Sequence, residues 1–236
     1  MSIHLSFQDN LFALKRLRLP TRYYHFRDEQ NYIKLVSIGE GIFPKDRIST
    51  VVKLENSDLL LATESATKVY PSKKEFGINR IDIQLQASNL EYINDELILY
   101  KDAKFLQLLR IRADSESTFF YGDILSHGRS YEYFDFDTMA AKNSFYCDGR
   151  LEYLEKYTKS GENVKSYTQQ SFNKHSLFAK IYVKTQDNEA FLERLEKECF
   201  TSFALSSNKE MLIGVISQNS MQALKSQLLA AWELYR

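Results

Sequence analysis

From about Ile48 to Val183 the chain runs as short segments rich in Val, Ile, Leu, Phe and Tyr, broken by polar clusters about every ten residues. That rhythm is too short for helices and suits strands joined by tight turns. Ile81, Ile83 and Leu85 alternate with Asp82 and Gln84, and Tyr131, Tyr133 and Phe134 to Phe136 are read as continuing the same period of two. One face of such a sheet meets water and the other a core. Asn56-Ser57-Asp58, Asn94-Asp95 and Asp114-Ser115-Glu116 are the turns this reading places between strands. Asp148-Gly149, between two aromatic segments, predicts a two-residue hairpin turn. No fixed repeat length emerges, so a regular solenoid has no support in the sequence, while an irregular stack or sandwich stays open.

The pattern changes near the C-terminus. Phe191, Leu192, Leu195 and Cys199 recur at helical spacing after the capping-type residues Asp187 and Asn188. A second helix is expected after Asn219-Ser220, with Leu224, Leu228, Ala231, Trp232 and Tyr235 on one stripe. Thr201 to Leu205 and Met211 to Ile216 read as strands between them. The expected fold is therefore mainly β, a stacked-sheet or β-helix-like body with two helices in the C-terminal quarter. The whole chain, 1–236, is read as one domain, β-rich to about 185, with a β-α-β-β-α portion from about 176.

Composition narrows the function classes. A chain of 236 residues with 15 Tyr, 16 Phe and 44% hydrophobic content can bury a core without disulfides or a structural metal. Lys plus Arg and Asp plus Glu each number 31, so no single-sign field is available to gather nucleic acid. Apolar runs such as Leu59 to Ala62 and Met211 to Ile216 are far shorter than the roughly 18 to 20 residues of a membrane span. The N-terminal residues lack a secretory signal, and only Cys147 and Cys199 are present, read as two packed thiols. The expected compartment is the cytoplasm.

No phosphate loop, dinucleotide turn or nucleophile elbow occurs. His4, His25, His127 and His175 lack partners at the i+2 or i+4 spacing that presents two imidazoles to a metal, and each is read as a surface or packed residue. Cys147 and His127 form a conceivable soft pair across a sheet that no spacing requires. Asp123, inside the aromatic segment Phe119 to Leu125, and Glu132, beside Tyr131 and Tyr133, are carboxylates on expected strands. They face solvent, or else they face inward, where cations, hydrogen bonds or an internal water channel must offset their desolvation. Paired as acid and base, the two also define an alternative, a carbohydrate-active enzyme on a β-helix. A plain interaction module is a third reading.

Several segments, in order, resemble the urease accessory protein UreD/UreH family. They are Gly39-Glu40-Gly41-Ile42-Phe43-Pro44-Lys45-Asp46-Arg47, Leu61-Ala62-Thr63-Glu64-Ser65-Ala66-Thr67-Lys68-Val69-Tyr70 and Leu90-Glu91-Tyr92-Ile93-Asn94-Asp95-Glu96-Leu97-Ile98. Asp123-Ile124-Leu125-Ser126-His127-Gly128-Arg129 with Glu132 and Phe134, and the terminal Trp232-Glu233-Leu234-Tyr235-Arg236, complete the series. The resemblance implies a non-enzymatic scaffold or chaperone that works with UreF and the GTPase UreG to deliver nickel to apo-urease. It implies that Asp46, Asp123 and Glu155 lie along an internal passage for nickel, with Thr63, Lys68, Arg129 and Glu132 as structural motif positions. Nickel is expected in transit, with no fixed metal site and no tightly bound cofactor. On the last helix, Gln222, Lys225 and Trp232 are the candidates for docking UreF.

Overall fold

The computed structural model describes residues 2–27, 30–170 and 175–236. Thirteen strands come first: β1 Ser2–Gln8, β2 Leu11–Arg18, β3 Thr21–Arg27, β4 Asn31–Ser37, β5 Arg47–Glu55, β6 Asp58–Thr63, β7 Thr67–Val69, β8 Gly77–Gln86, β9 Asn89–Leu99, β10 Lys104–Ala113, β11 Thr118–Ser126, β12 Thr138–Cys147 and β13 Arg150–Lys159. Helix α1 (Gly161–Gln170), β14 (Leu177–Lys184), α2 (Asn188–Lys197), β15 (Phe203–Leu205), β16 (Leu212–Gln218) and α3 (Met221–Tyr235) follow. One sheet has the order β13-β12-β10-β8-β5-β1-β2, and the other β15-β16-β14-β11-β9-β6-β4-β3, with β7 beside β9. Between β4 and β12 the chain passes back and forth between the sheets, and each strand pairs in parallel with the strand of the next coil. The result is a flattened, β-helix-like stack with antiparallel strands at both ends, as expected of a mainly β chain with two helices in its C-terminal quarter.

Successive coils are held in register at one corner by a ladder of serines. Asn10 N–H donates to Ser57 Oγ at 2.9 Å, Ser57 N–H to Ser88 Oγ at 3.1 Å, and Ser88 N–H to Ser117 Oγ at 3.2 Å. The hydroxyls of Ser57 and Ser88 donate back to Glu55 and Gln86 carbonyls at 2.7 Å. The rungs are 31 and 29 residues apart, the coil length that the sequence reading did not detect. Ser88→Ala leaves the buried Ser57 N–H without its acceptor, which costs about 1–3 kcal/mol. Urea unfolding should show that loss as a lower midpoint at unchanged slope.

Inward-facing residues form two apolar clusters between the sheets. The larger, toward the serine corner, includes Ile81, Ile83, Leu109, Ile111, Phe119, Tyr92, Tyr121, Phe145 and Tyr182. The smaller, toward the opposite corner, includes Ile42, Val69, Leu99, Phe105, Phe134, Phe136 and Met139. A third cluster joins the outer face of β11, β14 and β16 to Phe191 and Leu195 of α2 and to Leu224, Leu228 and Ala231 of α3. Asp187 caps α2 and Ser220 caps α3, each side chain accepting an N–H of the first turn.

Four local expectations need correction. Residues 127–137 form a loop rather than a strand; Tyr131 is fully exposed, while Phe134 turns inward at φ 53°. Asn94-Asp95 is not a turn but a bulge inside β9, where the register with β11 slips between Gly122 and Ile124. Helix α1 was not foreseen, because it carries little apolar patterning; it is capped by Ser160, whose Oγ accepts from Asn163 N–H. Of the two thiols only Cys147 is packed, and Cys199 is exposed. The Asp148-Gly149 hairpin forms as expected, with φ of 49° and 76°, the left-handed pair a two-residue turn demands.

Candidate functional site

Between the two inter-sheet clusters lies a layer of polar side chains that occupy the same inward parity as their apolar neighbours. On β10 Gln107 stands between Phe105 and Leu109, on β12 Asn143 between Ala141 and Phe145, and on β8 Asn79 precedes Ile81. Glu155 of β13 faces the same interior, as do Asn94, Asp123 and Lys180 from β9, β11 and β14. A cavity of about 370 Å³ opens in this layer, its wall combining Asn94, Gln107, Asp123, Asn143 and Lys180 with the apolar side chains Ile81, Leu97, Met139 and Phe178. A second cavity of about 200 Å³, lined by Thr21, Ser37, Gly39, Glu40, Gly41, Thr63 and Lys68 among others, shares Thr67, Asn79 and Asn94 with the first. The two together run along the stacking direction of the coils.

Asp123 is the hub of the first cavity. Its Oδ1 accepts from Asn94 Nδ2 at 2.7 Å and from the Tyr121 hydroxyl at 2.9 Å, and its Oδ2 accepts from Gln107 Nε2 at 2.7 Å. The β9 bulge aims Asn94 at it. Burial dominates its titration and pushes its pKa above the ordinary aspartate value, against those donors and the nearby Lys180 charge. Glu155 behaves in the opposite way. Burial is again the largest single influence and pushes upward, but Lys180 Nζ at 2.6 Å, the Tyr182 hydroxyl at 2.6 Å and Asn143 Nδ2 at 3.0 Å together hold it below the usual glutamate range. Lys180 also lies 4.9 Å above the Tyr157 ring. Asn143 Oδ1 is buried, and among the described residues it has no hydrogen-bond partner.

Of the residues the sequence singled out, Asp123 and Glu155 are therefore brought together beside Lys180, and Asp46 is not. Asp46 closes its own turn, its carboxylate accepting from Phe43 N–H at 2.9 Å. Thr63 Oγ1 accepts from Asp95 N–H at 2.7 Å and so braces the bulge. Lys68 is exposed, but its carbonyl accepts from Ile42 N–H at 2.8 Å, and Gly41, at φ 147°, passes so close that a Cβ there would clash with the Lys68 carbonyl oxygen. Arg129 pairs with Glu132 through Nε at 2.9 Å and covers Tyr100 at 4.2 Å, outside the cavity. Glu132 thus does not share a cavity with Asp123, which removes the acid–base pair considered from sequence. Cys147 and His127 sit at opposite ends of the strands, Cys147 beside the serine corner and His127 just past the far end of β11. Burial pushes the Cys147 thiol up to about 11, which keeps it protonated. Among the described residues no three His, Cys, Asp or Glu side chains converge as a metal site would need.

Residues 15–236 match the family model described as UreD urease accessory protein. The chain belongs to the UreD family. It is 55% identical to the urease accessory protein UreD of Aliarcobacter butzleri, over 100% of this chain and 95% of that protein. The UreD of Bacillus sp. strain TB-90 is 30% identical over 72% of this chain and 65% of its own length, and that of Staphylococcus epidermidis 30% identical over 60% and 52%. UreD proteins are accessory proteins, and membership gives this chain a role in urease maturation. Among the described residues no helix is long and apolar enough to cross a membrane.

On α3, the UreD docking candidates are differently engaged. Gln222 is exposed, but Trp232 is half-buried and donates from Nε1 to the buried Glu91 carboxylate at 2.6 Å, pinning the helix to β9. Lys225 bridges Asp95 and Glu96 at 2.9 Å each, a shared pairing that raises its pKa despite partial burial. Lys225→Glu therefore sets three carboxylates side by side. A loss of about 1 kcal/mol is expected, moderated by solvent because Lys225 keeps 39% of its side-chain surface. A lower melting temperature at low salt, recovering as salt is added, checks it.

Proposed function

We propose that this UreD carries nickel through its interior, working in the cytoplasm with UreF and the GTPase UreG to deliver the ion to apo-urease. The observation that carries the reading is the polar layer with its two adjoining cavities, which crosses an otherwise apolar sandwich. The charged donor on its wall is an oxygen group, the Asp123 carboxylate, with the Asn94, Gln107 and Asn143 amides beside it. Hard, neutral or singly charged oxygen ligands hold a divalent transition metal less firmly than thiolates or clustered imidazoles. An ion in transit needs that weakness. Glu155 acts as a structural counter-charge here, since Lys180, Tyr182 and Asn143 already occupy its oxygens. Asp123, held mainly by neutral amides, is then the carboxylate of the first cavity that can exchange its donors for a cation. Asp46 stands outside this route.

The test is urease activity in cells that express urease with its accessory proteins and either the parent chain or Asp123→Asn. At least about tenfold less active urease is expected with the variant, and equal activity would refute the passage.

A further inference from the structure

Strands β2 and β3 close one end of the coil stack, and among the described residues each pairs on one side only, β2 with β1 and β3 with β4. Terminal layers of stacked repeats are ordinarily polar, and exposed edge strands invite other strands to add to them. This end is not polar. Leu11 and Leu19 are 63% and 62% exposed, Tyr24 56% and Phe26 45%. Interleaved with them, residues 11–27 carry Lys15, Arg16, Arg18, Arg22 and Arg27 and no Asp or Glu. Asp28 and Glu29 follow, outside the described residues. Among the described residues none of the five cations has an ion-pair partner. Charges that served only to block edge pairing would not need leucines and aromatics exposed between them.

We propose that this end is a docking surface for an acidic protein partner in urease maturation, which adds an extended segment of alternating acidic and apolar residues along the open strand edge. Each part of that description answers a feature of the surface. The unpaired backbone groups of an edge call for another strand, the five cations for carboxylates, and the exposed leucines and aromatics for apolar side chains. Nucleic acid or an anionic lipid surface meets only the cations. A second copy of the chain is disfavoured by charge, because end-to-end contact sets β2 and β3 against themselves. Head-to-tail stacking sets them against β13, where Arg150, Lys156 and Lys159 outnumber Glu152 and Glu155. Thr21, the first residue of β3, and Ser37 at the end of β4 both line the smaller cavity, so a partner seated here stands at its rim. The proposal rests on membership of the family and not on nickel passage through the cavities.

Arg16→Glu, Arg18→Glu and Arg22→Glu together test it, because all three side chains are exposed and their reversal leaves the core untouched. The tagged chain, parent or variant, is expressed with urease and its accessory proteins, and each recovered component is quantified by mass spectrometry at low and high salt. The expected result is that one identified component falls at least about tenfold with the variant and dissociates from the parent as salt rises. Hydrogen exchange on the parent complex should show protection of amides in residues 11–27. Unchanged recovery of every component overturns the proposal. So does recovery lost without protection of those amides, or charge-dependent binding of the parent to phosphatidylserine vesicles or duplex DNA with recovery of the complex unaffected. Asp123→Asn should leave recovery intact, so failure of the passage and failure of the docking surface remain distinguishable.

Discussion

Glu155→Ala is expected to lower folding stability by about 3 kcal/mol, among the largest single-residue effects in the chain. The change removes the partner of Lys180 and strips acceptors from the Tyr182 hydroxyl and Asn143 Nδ2 in one step. The estimate sits at the low end for a broken buried pair because Lys180 and Glu155 keep 27% and 20% of their side-chain surface. For a chain of this size the melting temperature should fall on the order of 10 °C. Acid should shrink the difference. Glu155 has a folded pKa below its ordinary value, so its contribution is present above that ordinary value and is lost as pH falls through the folded one. Thermal melts of parent and variant should therefore converge as the pH drops below about 4.

Asp123→Asn is expected to act in the opposite sense, sparing the fold and abolishing function. The folded pKa of Asp123 is raised, so its protonated form favours the folded state, and that stability is lost as pH rises through the folded value. An uncharged amide removes this penalty. The variant should melt at or above the parent temperature near neutral pH, and the margin should narrow on acidification. Gln107 and Asn94 can rotate their amides to meet the new side chain, and the Tyr121 hydroxyl can donate to its oxygen. Cation binding, by contrast, loses the carboxylate at the hub of the first cavity, so urease activation should drop at least about tenfold. A variant more stable than the parent and inactive in maturation separates this role from a structural one.

The mainly β architecture was readable because alternation in segments such as Ile81 to Leu85 and the Asp148-Gly149 turn are local signals. Helix starts at Asp187 and Ser220 were readable for the same reason: a cap and a periodic stripe occupy adjacent residues. The coil repeat was not, because its mark is a single serine after a left-handed residue, at Asn56-Ser57 and Ala87-Ser88, and the corners differ in length. Asp123 stood out as a charge within an aromatic strand. Its environment did not, because Gln107, Asn143 and Lys180 come from strands far apart in sequence and each passes for an ordinary surface residue. A usable signal did exist: Gln107 and Asn143 interrupt the apolar parity of Phe105-Leu109-Ile111 and Met139-Ala141-Phe145. Asp46 and Lys225 show the opposite limit, since sequence position cannot reveal that one carboxylate caps its own turn and that one lysine already bridges two acids.

The most direct measurement is the nickel content of urease matured in the presence of parent or Asp123→Asn chain, determined by elemental analysis of purified urease after confirming that the variant is folded and still recovered with its partners. An interior route through Asp123 predicts urease with little nickel from the variant and normal loading from the parent. Equal nickel content from both would contradict it.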